Sequence, residues 1–583
     1  MEACVRSWIV YSVKVFILMT IFGVGDSLAH VDSEIKELDK FIKRTVACRK
    51  VPGLAVAVVK DGEVILSRGY GHADIENNIK ATEHTEFCVG SLTKAFTSTV
   101  IADILSSYSN FTWDTKIKDI LGPKFQLSDD IRTQHANIRD LLSHKIGTPA
   151  NFHALLVGFP GTMSRADLVE KLRYMPACSE FRAEFHYSNY MYMLAGYVAE
   201  VMSGESWENL VAKRLLNRLG MRSTGFIDSG RSLNTTAVPY VLKKNKLVPI
   251  EKELLLTVSP SGPAGSIYST AADMAKWMLF HLRGGKSGHH DQVVSRRFLQ
   301  ETYRSEMTHP FQDKDLTEPT YPVSDATLSY NMGWMTSLYR GYRKLWHSGG
   351  IVTFVSQLWL FPDVRSGVFV TTSGPLNQHG SMAVKNIASR ISDFLLGKEP
   401  WLNSTSTCTF PAPWEEPPPD MIARDEIKKH TWNISSSKST YVGLYGNMGF
   451  GKINVYSENG DSLVLEYGRF GKMELLPITE VQFIGHYVDK LWFITNSDGS
   501  TMPISIIFVR NNLKEVTGLL FPVDFEMSKT LFTKGTMYDA RRNTSHQPYT
   551  STSLTCSADQ IITLKSHIVA ILFTTIYFIY VNS

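Results

Sequence analysis

Ser91-Leu-Thr-Lys94, Tyr187-Ser-Asn189 and His347-Ser-Gly349-Gly350 are the segments of this chain whose residue types and order can do chemistry. Together they supply the parts of an acyl-transfer site. Ser91 would be the nucleophile. A serine does not attack a carbonyl at neutral pH unless a neighbouring base takes its proton. Lys94 is that base if Ser91 opens a helix, because residues three apart share one helix face. A phenol ionises at about pH 10 on its own. A neighbouring ammonium stabilises the phenolate, so Lys94 and Tyr187 would share proton duty. Asn189 would offer its amide to a substrate carbonyl. Gly349 and Gly350 would let the backbone approach a substrate that a Cβ would keep away.

Each segment also has a plainer reading. The S-x-x-K spacing recurs at Ser33–Lys36 and Ser435–Lys438, and alone it marks a solvated helix face. Ser188 or Asn189 would be an ordinary N-cap. His347–Gly350 would be a glycine turn between two strand-like runs, Arg343–Trp346 and Thr353–Phe361. With 17 histidines in the chain, one beside a turn is unsurprising. The order and joint occurrence of the three segments favour the chemical reading.

The elements that must position these residues can be read from periodicity. Phe96, Val100, Ile101 and Ile104 recur at helical spacing after Ser91. Gly90 suits a sharp entry from the segment Thr85–Val89. Ser91 would then stand at a helix N-terminus, where free N–H groups and the dipole favour a developing anion. Leu194, Tyr197, Val198 and Val201 mark a second helix after Asn189.

With these motifs the sequence resembles the serine β-lactamase and penicillin-binding-protein superfamily. It is most similar to the branch of class C β-lactamases, D-Ala-D-Ala carboxypeptidases and related esterases, which pairs S-x-x-K with Y-x-N and then K-T-G or H-x-G. The class A pattern with S-D-N and a separate glutamate is absent. Further matching segments are Pro52–Val58, Gly69-Tyr-Gly71, Leu141-Leu-Ser-His144, Phe185–Asn189, Leu219-Gly-Met221, Ala264–Thr270 with Asp273 and Trp277, and Asn331-Met-Gly-Trp334. They span roughly residues 35 to 397.

The resemblance implies an α/β (α+β) domain, an antiparallel sheet flanked by helices, plus a helical subdomain carrying Tyr187, with the site between them. It implies a covalent acyl-enzyme on Ser91, with Lys94 and Tyr187 as general base and acid. Asn189 would bind a substrate amide, and the backbone N–H groups of Ser91 and Gly350 would form the oxyanion hole. No metal or organic cofactor is implied. Two departures stand out. His347 replaces the lysine of many β-lactamases and is only partly charged at neutral pH. That favours peptides, amides or esters over penicillin-like acids. The usual Leu-Leu-Thr-His-Thr-Ser-Gly reads Leu141-Leu-Ser-His-Lys-Ile-Gly147, which alters one wall of the site. The rival reading is a catalytically silent extracellular scaffold or binding protein, since fold does not fix function. Retention of Lys94 and Tyr187 speaks for the enzyme.

At 583 residues the chain is too long for one ordinary domain. Its 60 basic and 56 acidic residues leave a net charge of +4, near balance, which gives no case for nucleic acid. Residues 1–29 read as a signal peptide: Arg6 and Lys14, the apolar run Val15–Val24, then Ser27-Leu-Ala29. The hydrolase-like region would cover 30–397. A stiff linker at 398–435 contains Pro411, Pro413 and Pro417–Pro419. Residues 436–530 alternate as short strands, among them Ile453–Tyr456, Leu463–Tyr467 and Ile504–Val509, with hairpin signals at Asn459-Gly460 and Asp498-Gly499. They read as a small antiparallel barrel or sandwich. This part resembles the lipocalin-like domain that follows the hydrolase domain in some family members.

Residues 531–558 would be a tail. From 559 to 583 a spacer and the apolar Ile568–Val581 follow the small triplet Cys556-Ser-Ala558. That order fits a GPI-type signal, with a transmembrane anchor as the competing reading. Sequons at Asn110, Asn234, Asn403, Asn433 and Asn543 fit a secreted or cell-surface glycoprotein. Cys4 would leave with the leader. Cys48, Cys88, Cys178 and Cys408 would allow two disulfides, their pairing open, with Cys88 equally readable as a buried small apolar residue.

Overall fold

In the computed structural model, Gly53–Lys60 (β1) is buried over seven of its eight residues. A strand buried on both faces needs apolar side chains in both directions, and Gly-Leu-Ala-Val-Ala-Val-Val supplies them. Leu54, Val56 and Val58 point into one core, and Ala55, Ala57 and Val59 into another. The first core holds Leu38, Phe41 and Ile42 of helix α1 (31–48). The second core receives the helices that carry the candidate site. The description covers residues 31–536 apart from 229, 290, 310–320, 416–431, 459–461, 499–503 and 525–528. The segments read as a leader and as a C-terminal signal, Asn543, Asn459-Gly460, Gly499 and Pro417–Pro419 therefore lie outside the described residues.

Around β1, nine of the described strands form one antiparallel sheet. They are β1, Glu63–Asp74 (β2), Ile79–Lys80 (β3), Met307–Thr308 (β4), Asp325–Tyr330 (β5), Met335–Tyr339 (β6), Tyr342–Ile351 (β7), Phe354–Phe361 (β8) and Ser366–Thr372 (β9). The spatial order is β3-β2-β1-β9-β8-β7-β6-β5-β4. β1 pairs with β9 through Val56 and Val370, so the first and last parts of the domain meet at its centre.

Thr93–Ser107 (α2) is buried from Thr93 to Leu105 on every side, as expected of a helix at the middle of a domain. Asn189–Ser203 (α3) and Ala271–Leu282 (α4) pack around it. The Phe96 ring stacks on Trp277 of α4 with centroids 3.7 Å apart. Thr270 caps α4, its hydroxyl accepting the N–H of Asp273 at 3.2 Å. Gln378–Leu395 (α5) sends Ile387, Ile391 and Leu395 into the core shared with α1. Cys48 at the end of α1 is bonded to Cys408 beyond α5.

The C-terminal strands close into a barrel: Gly443–Asn447 (β10), Gly451–Glu458 (β11), Ser462–Tyr467 (β12), Gly471–Pro477 (β13), Gln482–Val488 (β14), Ile504–Arg510 (β15), Val516–Phe521 (β16) and Thr530–Lys534 (β17). Pairing of β10 with β17 through Tyr445 and Lys534 completes the ring. Alternate residues point inward, and Ile453, Val455, Phe483, Ile506, Phe508 and Phe532 fill the interior. Closure removes the exposed edges that a sandwich would have left.

The barrel docks on the segment 151–158. Ala154 N–H donates to the Val523 carbonyl at 3.1 Å, and Phe470 N–H to the Val157 carbonyl at 2.8 Å. His153 Nδ1–H donates to the Pro522 carbonyl at 2.6 Å, so its Nε2 accepts from the Tyr487 hydroxyl. Among the described residues no helix is long and apolar enough to cross a membrane.

Candidate active site

Ser91 lies on a single 3-10 turn, Gly90–Leu92, that leads straight into α2. Lys94 stands one turn further on, with Nζ 3.0 Å from Ser91 Oγ. Its side chain is fully buried, and burial pushes its pKa well below the usual lysine value. Two fixed acceptors hold the amine: Asn189 Oδ1 at 2.7 Å and the Ala264 carbonyl at 2.9 Å. A neutral amine spends its two hydrogens on those acceptors and turns its lone pair to the Ser91 hydroxyl. A protonated amine finds three acceptors and the rings of Tyr187 and Tyr192, whose centroids lie 4.7 and 5.4 Å away. The surroundings therefore accommodate both forms, with desolvation favouring the neutral one.

Tyr187 donates its hydroxyl hydrogen to Ser91 Oγ at 2.8 Å. It precedes α3, and Asn189 is the first residue of that helix. Ser188 takes the N-cap position, but its hydroxyl does not cap the helix. It donates instead to the Pro149 carbonyl at 3.3 Å, while its N–H donates to His144 Nδ1 at 3.0 Å. Both bonds lock the turn that carries Tyr187. The Tyr187 ring lies 4.5 Å from the His144 ring, centroid to centroid.

His347, Ser348, Gly349 and Gly350 do not form the turn of the plainer reading. They are the last part of β7, and the turn comes later, at Val352 and Thr353. The glycines do permit a close approach, but the neighbour shown is protein. A Cβ on Gly349 would fall 1.9 Å from the Val89 carbonyl oxygen, and one on Gly90 would fall 2.6 Å from Gly350 N. Gly90 also has φ +54°, in the left-handed region. Strand β7 is thereby laid directly against the turn of Ser91. In a two-residue hairpin, Ile351 and Phe354 form the hydrogen-bonded pair, so Gly350 and Val355 form the open pair. Gly350 N–H thus points away from β8. On that other side β6 stops at Met335 opposite Trp346, leaving the 347–351 edge of β7 without that strand.

His347 is only 1% exposed, and burial together with the nearby Lys94 pushes its pKa down to about 3. Its Nδ1–H donates to the Ser348 carbonyl at 2.6 Å, so Nε2 accepts from the Tyr330 hydroxyl at 3.1 Å. The partial charge expected from its sequence position is therefore removed by burial. His144 is likewise driven well below the usual histidine range by burial, with Lys94 and His347 adding to the effect.

The structure thus brings Ser91, Lys94, Tyr187 and Asn189 into direct contact and lays Gly349 and Gly350 beside them. Three participants had no role assigned from sequence: the Ala264 carbonyl, Tyr192 and Tyr330. Tyr192 is three residues beyond Asn189, so helical spacing would have placed it on the same face. Tyr330 carries no local signal, because only pairing of the sheet brings it to His347. The sequon residues Asn110, Asn234, Asn403 and Asn433 are exposed. Of the two disulfides the cysteine count allowed, one is formed, between Cys48 and Cys408. Cys88 is fully buried beside Val89, as its apolar reading requires, and Cys178 is not disulfide-bonded. Among the described residues no group of three or more His, Cys, Asp or Glu is placed to hold a metal ion.

The beta-lactamase family model matches residues 38–390. Unguisins hydrolase ungD' of Aspergillus campestris is 28% identical over 375 residues, which are 63% of this chain and 67% of that protein. Gigasin-6 of Magallana gigas is 28% identical over 278 residues, 47% of this chain and 90% of its own length. The octameric penicillin-binding protein homologue from Pyrococcus abyssi superposes with TM-score 0.52 at 21% identity, over 86% of this chain and 100% of that one. The D-amino acid amidase from Ochrobactrum anthropi gives 0.52 at 18% identity, over 63% and 98%. At these identities the two structural likenesses are likenesses of fold. With more than half its length matched by the family model, the chain belongs to the beta-lactamase family.

Proposed function

We propose that this protein is a serine hydrolase that transfers the acyl group of a peptide, amide or ester from Ser91 to water. The observation that carries the reading is the convergence of Lys94 Nζ and Tyr187 OH on Ser91 Oγ, at 3.0 and 2.8 Å. Ser91 Oγ attacks the substrate carbonyl as its proton passes to the Lys94 lone pair. The carbonyl oxygen takes up negative charge between the N–H groups of Ser91 and Gly350, the latter aimed away from β8. The new ammonium is held by Asn189 Oδ1 and the Ala264 carbonyl. Tyr187, on the same oxygen, passes a proton to the leaving amine or alcohol as its bond to the acyl carbon breaks. Water then attacks the acyl-Ser91 ester by the reverse proton path, releasing acid and restoring the Ser91 hydroxyl.

Substrate would lie along the open 347–351 edge of β7. With His347 neutral, that edge offers no imidazolium to a substrate carboxylate, which supports esters, amides and peptides over penicillin-like acids. The fungal relative is named a hydrolase, which agrees with the class of reaction. The test is labelling with a fluorophosphonate, which phosphonylates activated serines with loss of fluoride, followed by peptide mapping. The adduct is expected on Ser91, and Ser91→Ala should abolish it while the circular dichroism spectrum stays the same. A folded protein that never labels, and whose weak esterase activity is untouched by Ser91→Ala, would instead be the silent scaffold.

A further inference from the structure

Cys178 Sγ lies 3.3 Å from Nδ1 of His186, and Nε2 of the same ring lies 3.1 Å from a carboxylate oxygen of Glu184. Thiol, imidazole and carboxylate form a chain that the Ser91 chemistry does not use. The backbone holds this chain in place. Cys178 N–H donates to the Gly147 carbonyl at 2.8 Å, and His186 N–H donates to the His144 carbonyl at 3.1 Å. Gly147 has φ +74°, and a Cβ there would fall 2.7 Å from Ser179 Oγ, so the two loops fit only with glycine. The acceptors in reach of the thiol hydrogen include the Gly147 carbonyl at 3.4 Å and His186 Nδ1. Of these two, the imidazole is the base that can take the proton away.

The tautomer follows from the contacts. Glu184 accepts, so Nε2 carries the hydrogen and Nδ1 turns its lone pair to the sulfur. The same bond holds the ring with Nδ1 facing Cys178. The His186 side chain is 25% exposed and Cys178 is partly exposed, so the pair is not sealed in the core. The other cysteines of the described residues differ. Cys48 and Cys408 are bonded to each other, and Cys88 is sealed in the core.

We propose that Cys178 is a thiol–disulfide exchange site for low-molecular-weight disulfides, with His186 as its base and Glu184 as the residue that positions His186. The thiol proton passes to His186 Nδ1, and the thiolate attacks one sulfur of R–S–S–R. The S–S bond of the small disulfide breaks, and Cys178–S–S–R forms. The departing R–S⁻ takes the proton from His186 and leaves as R–SH. No oxidant other than the small disulfide is needed. The Cys48–Cys408 bond belongs to surroundings in which disulfides persist and such co-reactants are available. The proposal does not depend on the reading of Ser91.

The test uses the full chain, purified without reductant and treated at about pH 7.5 with oxidised glutathione or with iodoacetamide. Peptide mapping should find glutathione on Cys178, removable by dithiothreitol, and none on Cys88. Iodoacetamide should modify Cys178 about tenfold faster in the folded protein than in the urea-unfolded chain, after correction for urea with a model thiol. His186→Gln should abolish that advantage, and Glu184→Gln, at an exposed side chain, should reduce it severalfold. A Cys178 that reacts more slowly folded than unfolded overturns the proposal. So does a folded His186→Gln variant with an undiminished rate. If that variant does not fold, the folded-against-unfolded comparison on the unaltered protein decides alone.

Discussion

At the scale of single residues, Lys94 has the most consequential environment. An ammonium costs free energy when buried, yet three acceptors and two aromatic rings surround this one. The balance suits a group that must gain and lose a proton in each cycle. Lys94→Ala and Tyr187→Phe should each lower turnover by ~10²-fold or more, because each removes a proton-transfer partner of the same oxygen. The double variant should lose little beyond the worse single one, since the two act as a unit. Steady-state kinetics on an activated ester would check this. Small losses that multiply independently would show two structural neighbours and no shared role. His347 belongs to this scale too. Burial with both ring nitrogens bonded makes it a support for β7. Penicillin-type acids should therefore be poor substrates from about pH 5 to pH 8, with no gain on the acid side where an exposed histidine would charge. A kcat/KM for cephalosporins that climbs through about pH 6.5 as pH falls would contradict that account.

At the scale of elements, the decisive contact is between β7 and the turn of Ser91. Gly349 lies so close to Val89 that an alanine must push strand and turn apart. Gly349→Ala should cost roughly 1–3 kcal/mol of stability, the usual range for overpacking. It should also lower kcat/KM by ~10²-fold, since a displacement of about 1 Å at reacting atoms is that costly. Thermal melts and ester kinetics on the same preparation would separate the two effects. A variant with unchanged kinetics would mean that the β7 edge does not define the site. The segment 144–158 is anchored at both ends. One end, His144, holds the Ser188 N–H. The other end, from Asn151 to Val157, is gripped by the barrel. The barrel thus supports a wall of the site without supplying a group to the reaction.

At the scale of the molecule, buried neutral histidines are spread through separate regions. His347 lies in the sheet, His281 in α4 and His153 at the barrel junction. Burial pushes the first two down to about 3 and the last to about 4. In the unfolded chain each binds a proton at about pH 6.5. Between those values the unfolded state holds more protons, so stability rises with pH across that window. It is complete above about pH 6.5 and falls as pH drops toward about 4. Each histidine contributes roughly 1.4 kcal/mol per pH unit within its window. The melting temperature should begin to fall near pH 6.5, before most carboxylates titrate. A melting temperature level from about pH 7 down to pH 4.5 would be incompatible with three neutral buried rings. His153→Phe should flatten part of the slope. It should also weaken the barrel junction, because it removes the bonds to Pro522 and Tyr487.

Much of this was legible in the amino-acid order, because it depends on local spacing. Ser91 and Lys94 share a helix face by separation alone. Phe96, Val100, Ile101 and Ile104 announce α2, and the alternation after Tyr441 announces strands. What separation cannot encode is which distant surfaces meet. Whether His347–Gly350 is a turn or a strand depends on Val355 lying opposite Gly350. The protonation of His347 depends on burial beneath Tyr330, 17 residues away in sequence and in contact across the sheet. The choice of one disulfide over two depends on α1 and the segment after α5 meeting, while Cys88 is enclosed in the core. Barrel rather than sandwich was settled by the pairing of first strand with last. Local propensity and periodicity act over a few bonds and so are written in sequence. Desolvation, close approach and strand closure act through space, and only the folded chain decides them.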